Sequence, residues 1–195
     1  MSKPEKRSIS RKGTEYTESE RKKMFTIRPE KICDYPQICQ VITEAFKTAE
    51  HSDGNEAELV NNLRKSPSFI PELSLVAVVN DNIVGHILFT KAFVGTTPVL
   101  ALAPLSVLPL YQNRGIGLAL IKKGHETAKK LGYKFSVVLG YAGYYSKSGY
   151  IPASRYGITA PFETADENFM AICFDDEAPV RLNGTMTYDA AFGIF

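Results

Sequence analysis

The chain has 195 residues and a formal net charge of +2, which fits one domain of ordinary size. With 44% apolar and 23% charged residues, its composition excludes collagen-like, mostly disordered and disulfide-scaffold proteins. No apolar run reaches the roughly 18 residues that span a bilayer, and no apolar segment follows the N-terminal basic residues as it would in a signal peptide. Three cysteines without C-x-x-C spacing argue against a disulfide framework or a metal site, so we expect a reducing compartment, the cytoplasm.

Residues 1–23 differ in charge from the rest of the chain. They carry eight Lys or Arg and four Glu, a net charge of +4, whereas residues 24–195 carry 15 basic and 17 acidic residues. Apart from Met1, the only hydrophobic residues there are Ile9 and Tyr16, too few to offset the entropy of ordering the segment. Four Glu dilute the basic patch that phosphate binding requires, so a solvated extension is favoured over a nucleic-acid arm. We therefore predict a disordered basic tail, one domain over 24–195, and neither nucleic acid nor membrane as a partner.

The first part of the body alternates strand and helix patterns. Residues Phe25–Arg28 predict a strand that ends at Pro29. Apolar residues at helical spacing from Ile38 to Phe46 predict a first helix, and a second helix containing Leu59–Leu63 ends before Pro67.

The middle of the chain changes to a strand pattern. The runs Leu75–Val79 and Ile83–Phe89 flank an Asn-Asp-Asn turn at 80–82, which predicts an antiparallel hairpin. A third strand over Val99–Leu108 contains Pro104, which cannot donate to a ladder and so indicates an edge or a bulge. A bulge at this position would split the sheet.

A glycine-containing turn at 112–117 then leads into a helix that stops at Gly132. A buried strand over Phe135–Leu139 follows, so strand, turn, helix and strand form a βαβ unit with parallel strands. The predicted fold class is α/β with a mixed sheet. The predicted buried face of the helix consists of Leu120, Ile121, Gly124, Ala128 and Leu131. A later short helix is predicted over Tyr144–Gly149, and two closing strands are predicted over Phe169–Phe174 and Gly184–Tyr188.

The glycine turn has the features of an anion site. Unpaired N–H groups and the positive end of the helix dipole favour a phosphate at such a helix start, and Gly115 and Gly117 allow the backbone to approach it closely. The turn is not a Walker A loop, because no Gly-Lys-Ser/Thr follows, and Leu120 stands where a dinucleotide fingerprint needs its third small residue. A tight turn without a ligand is the alternative.

Two motifs in the expected order resemble one family. The sequence Gln112-x-x-Gly115-x-Gly117, after a strand that ends at 105–109, resembles the acetyl-CoA motif of the GCN5-related N-acetyltransferase (GNAT) superfamily. The segment Tyr144–Tyr150 resembles the family's Tyr-x-x-x-Gly-aromatic motif, and residues 139–145, 169–170 and 184–192 are similar to its YhbS-like bacterial branch. The resemblance covers Phe25 to Phe195. It implies an acyl-CoA N-acyltransferase fold, a central mixed sheet flanked by helices with a splayed parallel strand pair, and transfer of an acetyl group from acetyl-CoA to a primary amine.

The resemblance also implies a set of site residues. The pantetheine arm would pair with the backbone of Leu105, Ser106 and Val107, and a backbone N–H near Val107 would stabilise the developing oxyanion. Tyr145 would be the general acid, because a phenol with a pKa near 10 stays protonated at neutral pH and can donate to the departing thiolate. The pyrophosphate would bind the turn residues Gln112, Asn113, Arg114, Gly115, Ile116 and Gly117.

The general base is where the sequence departs from the family pattern. Many members place a Glu on the strand before the motif, but residues 101–107 contain no carboxylate. Glu44 and His51 are candidates because the first two helices usually form the acceptor wall, although each also suits the surface. His86 in a strand and His125 on a helix are weaker candidates.

Two points stay open at this stage. The missing carboxylate leaves a non-catalytic acyl-CoA-binding or sensing domain as the alternative function. The amine acceptor cannot be identified from these residues, since fold does not fix substrate. The C-terminal Phe192 and Phe195 suit burial against the body of the protein or against a second copy in a homodimer.

Overall fold

The computed structural model describes residues 25–47, 54–175 and 181–193, so the predicted tail, His51 and Phe195 lie outside the described residues. Short 3-10 turns connect several of the elements. In chain order, the strands and helices are β1 Thr26–Pro29, α1 Tyr35–Phe46, α2 Glu56–Leu63, β2 Phe69–Val79, β3 Asn82–Val94, β4 Thr97–Val107, α3 Ile116–Lys130, β5 Phe135–Leu139, α4 Ala142–Tyr145, β6 Ile151–Pro152, β7 Ile158–Thr159, β8 Phe169–Cys173 and β9 Gly184–Thr187.

The strands form one mixed sheet, which confirms the predicted fold class. Its order is β1-β2-β3-β4-β5-β8-β6, and β9 pairs with both β3 and β7. Strands β1 to β4 are antiparallel neighbours, whereas β4 and β5 are parallel and are joined through α3. The β2–β3 hairpin turns at Asn80 and Asp81, whose φ angles of 47° and 64° fit a type I′ turn.

The parallel pair β4–β5 is splayed. Pairing is confined to Leu100 with Ser136 and Ala101 with Val137, although β4 continues to Val107. On the other side of β4 the register with β3 shifts between Ala103 and Leu105, which leaves Pro104 as the extra residue of a bulge. The predicted bulge is therefore confirmed, and it lies just beyond the point where β4 and β5 stop pairing.

Helices cover both faces of the sheet. Ile38, Val41 and Ile42 of α1, with Val60 and Leu63 of α2, pack on one face. The apolar side of α3 packs on the opposite face, where Leu120, Ile121 and Ala128 join a core that also includes Leu105, Tyr144 and Tyr145.

Two details of the βαβ unit differ from expectation. Leu131 is 43% exposed because it follows the last residue of α3 and no longer shares the helix's buried face. Leu139 is 50% exposed because it ends β5 in the part that β4 no longer pairs. Strand β2 also begins six residues earlier than predicted, at Phe69, because the exposed residues Pro71 and Glu72 interrupt the apolar pattern in its first half.

None of the described helices has the length and apolar character that crossing a bilayer requires.

Candidate active site

The candidate site lies where β4 and β5 separate. Parallel strands run toward the same edge, so the ends of both strands border one gap. On the β4 side are Leu105 and Val107, both partly buried, and the fully buried Ser106. Among the described residues, no strand pairs with this side of β4 beyond Ala101, so the backbone groups of 102–107 are available to an extended ligand arm.

The glycine turn continues directly from this strand. Gln112 donates a hydrogen bond from Nε2 to the carbonyl oxygen of Val107 at 3.0 Å, which ties the turn to the end of β4. Asn113 and Gly115 have φ angles of 60° and 81°, so the chain reverses sharply before α3 begins at Ile116. Gly115 is the N-cap and supplies no side-chain bond, and helix geometry leaves the first N–H groups of α3 without intrahelical partners. These groups can bind an anion.

Gly117 is required by a protein contact as well as by any ligand. A Cβ at this position would collide with the Tyr144 hydroxyl and would lie 3.6 Å from Leu105 Cδ2. The α4 segment therefore reaches the start of α3, and Tyr144 packs between α3 and β4. Burial raises the pKa of Tyr144 above its ordinary value, so its hydroxyl stays protonated.

Tyr145 lies at the β5 side of the gap. A Cβ on Gly140, the residue after β5, would collide with the Tyr145 ring, so this glycine allows the ring to lie against the strand end. The ring makes edge contacts with Tyr144 at 5.2 Å and with Tyr150 at 5.8 Å between centroids. Burial raises the pKa of Tyr145 well above 10, which keeps the phenol protonated over the physiological range.

Tyr150 is fixed behind Tyr145 by two hydrogen bonds. Its hydroxyl lies 3.0 Å from His125 Nε2 on α3 and 2.9 Å from Ser136 Oγ on β5. Burial lowers the pKa of His125 to about 4, so this imidazole is neutral at physiological pH. Tyr150 thus links α3 to β5 on the side of the sheet that holds Tyr145.

Glu44 lies in a separate groove. Its side chain is 53% exposed and its Oε1 lies 3.6 Å from Lys47 Nζ, the geometry of a surface ion pair. The groove has a volume of about 420 Å³, and Leu108, just beyond β4, is its link to the gap. It is lined by Gln37, Cys39, Gln40, Val41, Thr43, Glu44, Ile83 and Leu108. Neither Tyr145 nor any of residues 105–107 is among the residues that line this groove, so the role predicted for Glu44 stays a prediction.

A buried charged cluster lies on the α1–α2 side of the sheet, and the sequence analysis missed it as a unit. The Glu30 carboxylate receives two hydrogen bonds from Arg64, at 2.9 and 2.7 Å, and lies 3.3 Å from His86 Nε2. Arg64 also lies 3.9 Å from the centroid of the Tyr35 ring. Sequence spacing gives no signal for this cluster, because its members come from three distant segments. Across the described ranges, no group of three or more His, Cys, Asp and Glu could hold a metal ion.

A profile of the acetyltransferase (GNAT) family matches residues 35–150, more than half of the chain. The chain belongs to this family. The match runs from the start of α1 through the glycine turn to Tyr150, so it includes Tyr145 but begins after Glu30.

Curated relatives and solved structures agree with the family. The uncharacterized N-acetyltransferase YjhQ of Escherichia coli K12 is 39% identical over 149 residues, which cover 74% of this chain and 80% of YjhQ. The uncharacterized N-acetyltransferase YhbS of the same strain is 27% identical over 172 residues, which cover 87% of this chain and 99% of YhbS.

Two solved GNAT structures contain a ligand. YhbS from Escherichia coli in complex with CoA superposes with a TM-score of 0.79 at 25% identity, covering 88% of this chain and 93% of that one. A GNAT family acetyltransferase from Brucella melitensis in complex with acetyl-CoA gives a TM-score of 0.70 at 32% identity, covering 86% and 97%. These similarities extend beyond the matched profile to most of the described sheet.

Proposed function

We propose that this protein is an acetyl-CoA-dependent N-acetyltransferase that moves the acetyl group to a primary amine by direct attack, with Tyr145 as the general acid. The observation that carries the proposal is the continuous path from the splayed β4–β5 pair, past the Pro104 bulge, to the uncapped start of α3. Relatives that bind CoA and acetyl-CoA support the choice of donor.

The residues of the path fit such a donor. The backbone of Leu105, Ser106 and Val107 would hold the pantetheine arm, because no described strand pairs with the β5-facing side of β4 at these residues. The N–H groups from Gln112 to Gly117 would hold the pyrophosphate, and an anion at this helix start needs no basic side chain. Bound acetyl-CoA supplies an activated thioester.

Each protein group then has one task. A backbone N–H near Val107 stabilises negative charge on the carbonyl oxygen during attack. Tyr145, protonated because burial raises its pKa, donates its proton to the departing sulfur. Tyr150 and Gly140 keep the Tyr145 ring at the end of β5.

The first test measures binding and turnover on the full chain. Calorimetric titration with acetyl-CoA is expected to give micromolar affinity or better. A thiol-release assay with a panel of primary amines, including polyamines, amino acids, aminoglycosides and a lysine-containing peptide, is expected to show release that requires an amine. Binding without release on any amine would favour the second candidate, a non-catalytic acyl-CoA-binding domain, which the absence of a carboxylate in 101–107 motivates.

A matched pair of variants tests the general acid. Tyr145→Phe removes only the hydroxyl and is expected to lower kcat by about 10²-fold or more, the usual contribution of a general acid, while acetyl-CoA affinity is kept. Tyr141→Phe is the control, because this tyrosine lies in the same segment but is 77% exposed. Unchanged turnover in Tyr145→Phe would remove Tyr145 from the mechanism.

A further inference from the structure

The groove beside α1 lies outside the path proposed for acetyl-CoA and contains a single charge. Glu44 is the one charged group among the described residues that line it. Val41, Ile83 and Leu108 give the groove an apolar wall, of which Val41 and Ile83 are buried. Its volume of about 420 Å³ is within the range of small-molecule sites, which combine apolar walls with a few polar groups.

The groove meets the proposed reaction centre at the end of β4. Leu108 lines the groove and directly follows Val107, near which a backbone N–H would hold the acetyl carbonyl oxygen. The N–H of Leu108 donates to the carbonyl oxygen of Val84 at 2.9 Å, which fixes the end of β4 beside Ile83, another lining residue. A molecule bound in the groove is therefore next to the end of the strand that would hold the thioester.

Glu44 lies where its own helix disfavours a negative charge. It belongs to the last turn of α1, which ends at Phe46 and contains no basic residue. The carbonyl groups at a helix C-terminus carry partial negative charge, which opposes a carboxylate and attracts a cation. Lys47 supplies only a loose ion pair of 3.6 Å, because its side chain is 68% exposed and that of Glu44 is 53% exposed. This end of the groove is therefore suited to a bound cation.

We propose that the groove binds the acceptor and that Glu44 selects amines with a second cationic group, as in aliphatic diamines and polyamines. The inference rests on the proposed N-acetyltransferase function. One ammonium of the acceptor pairs with the Glu44 carboxylate, and the carbon chain packs on the apolar wall. The far amine reaches the thioester past Leu108. Glu44 is in this scheme a specificity-determining residue and not the general base.

The kinetic test compares acceptors that differ by one charge. Each aliphatic diamine is paired with the monoamine of the same chain length, as cadaverine with pentylamine and putrescine with butylamine. After correction for the two equivalent amines of a diamine, we expect wild-type kcat/KM to favour the diamine by about fivefold, the strength of a favourable exposed ion pair. Glu44→Gln should abolish this preference by raising KM for the diamine. Lys47→Gln should increase the preference, because Lys47 competes for the same carboxylate.

A matched variant and two outcomes make the kinetic test decisive. Glu58→Gln is the control, because it removes an exposed carboxylate from the neighbouring helix α2 and does not line the groove. Its preference is expected to equal that of wild type. No preference in wild type for any pair, or the same preference in Glu44→Gln, would overturn the proposal. An equal fall of kcat on both amines in Glu44→Gln would also overturn it and would support the general base instead.

A second measurement reports binding without turnover. Cys39 lines the groove, whereas Cys33 is exposed and is not among its lining residues. In full-length protein treated with iodoacetamide, mass spectrometry is expected to show that cadaverine slows alkylation of Cys39 more than pentylamine does. The rate at Cys33 should stay unchanged. Equal rates at Cys39 with both amines would overturn the proposal.

The two measurements separate this inference from the proposed function. If monoamines are acetylated as well as diamines, the function stands and the selection by Glu44 fails. If the protein acetylates no amine, the proposed function fails, and protection of Cys39 then still decides whether the groove binds a diamine.

Discussion

The buried His125 gives a stability prediction that can be worked from the structure. Its pKa is lowered from 6.5 to about 4, chiefly because burial beside Tyr150 and Phe174 disfavours the charged ring, and Lys129 adds to the effect. In the unfolded chain the ring takes up its proton near pH 6.5, whereas in the folded protein it does so only near pH 4. Stability from His125 is therefore complete above pH 6.5 and is lost as the pH falls to 4. At 1.36 kcal/mol per pH unit, the loss is about 3 kcal/mol.

Replacing the titrating ring isolates this contribution. We expect the free energy of unfolding of wild-type protein, measured by urea denaturation from pH 7 to pH 4, to fall about 3 kcal/mol further than that of His125→Gln. The lowered pKa values of His86 and Glu30 also produce acid sensitivity, but both groups are present in the two proteins and cancel in the difference. An NMR titration of the His125 ring gives its folded-state pKa directly.

The result has a clear refutation. If the wild-type and His125→Gln curves stay parallel from pH 7 to pH 4, His125 does not titrate as a buried neutral ring. The consequence would reach the site, because His125 bonds Tyr150 and Tyr150 contacts the Tyr145 ring. An ordinary pKa for His125 would mean that water reaches the ring behind Tyr150 and Tyr145.

Two further predictions concern positions where a close contact or a positive φ angle favours glycine. Gly117→Ala should weaken acetyl-CoA binding in calorimetry and lower the melting temperature, although Ala favours a helix by about 1 kcal/mol, because the new methyl meets the Tyr144 hydroxyl. Adding Tyr144→Phe should restore stability, and a loss of stability that persists in the double variant would contradict the contact. Gly115→Ala is the comparison, because its Cβ would meet open space; its free energy of unfolding should fall only by the roughly 1–2 kcal/mol that a left-handed conformation costs a residue other than glycine. Asp81→Gly should raise the free energy of unfolding by about 1 kcal/mol in urea, because Asn80-Gly is the preferred type I′ pair, and the absence of a gain would contradict this turn type.

The features that the sequence predicted are those set by local chemistry. The helical stripe from Ile38, the Asn-Asp turn and the Pro104 bulge each depend on residues within a few positions of one another, and all three are confirmed. The expectations of burial that failed depend on tertiary neighbours. Leu139 matches a buried strand pattern, but it is half exposed because its parallel neighbour has already diverged.

The same distinction between local and long-range determinants applies to the candidate site. The proposed acetyl-CoA side consists of backbone groups, whose positions depend only on where glycine and proline stand in the sequence. A short motif therefore predicts this side. The buried charged cluster depends on side chains that the fold brings together from distant parts of the chain. Arg64 is 34 residues from Glu30, and Ser74 is 12 residues from His86.

This distinction explains why residues 101–107 can lack a carboxylate without a change of fold, since the pairing and the bulge of β4 depend on backbone groups and on Pro104. His86 of β3 lies beside the buried Glu30 carboxylate, and burying this carboxylate requires a paired counter-charge, which Arg64 supplies. The side chains of Arg64 and Glu30 are only 5% and 3% exposed.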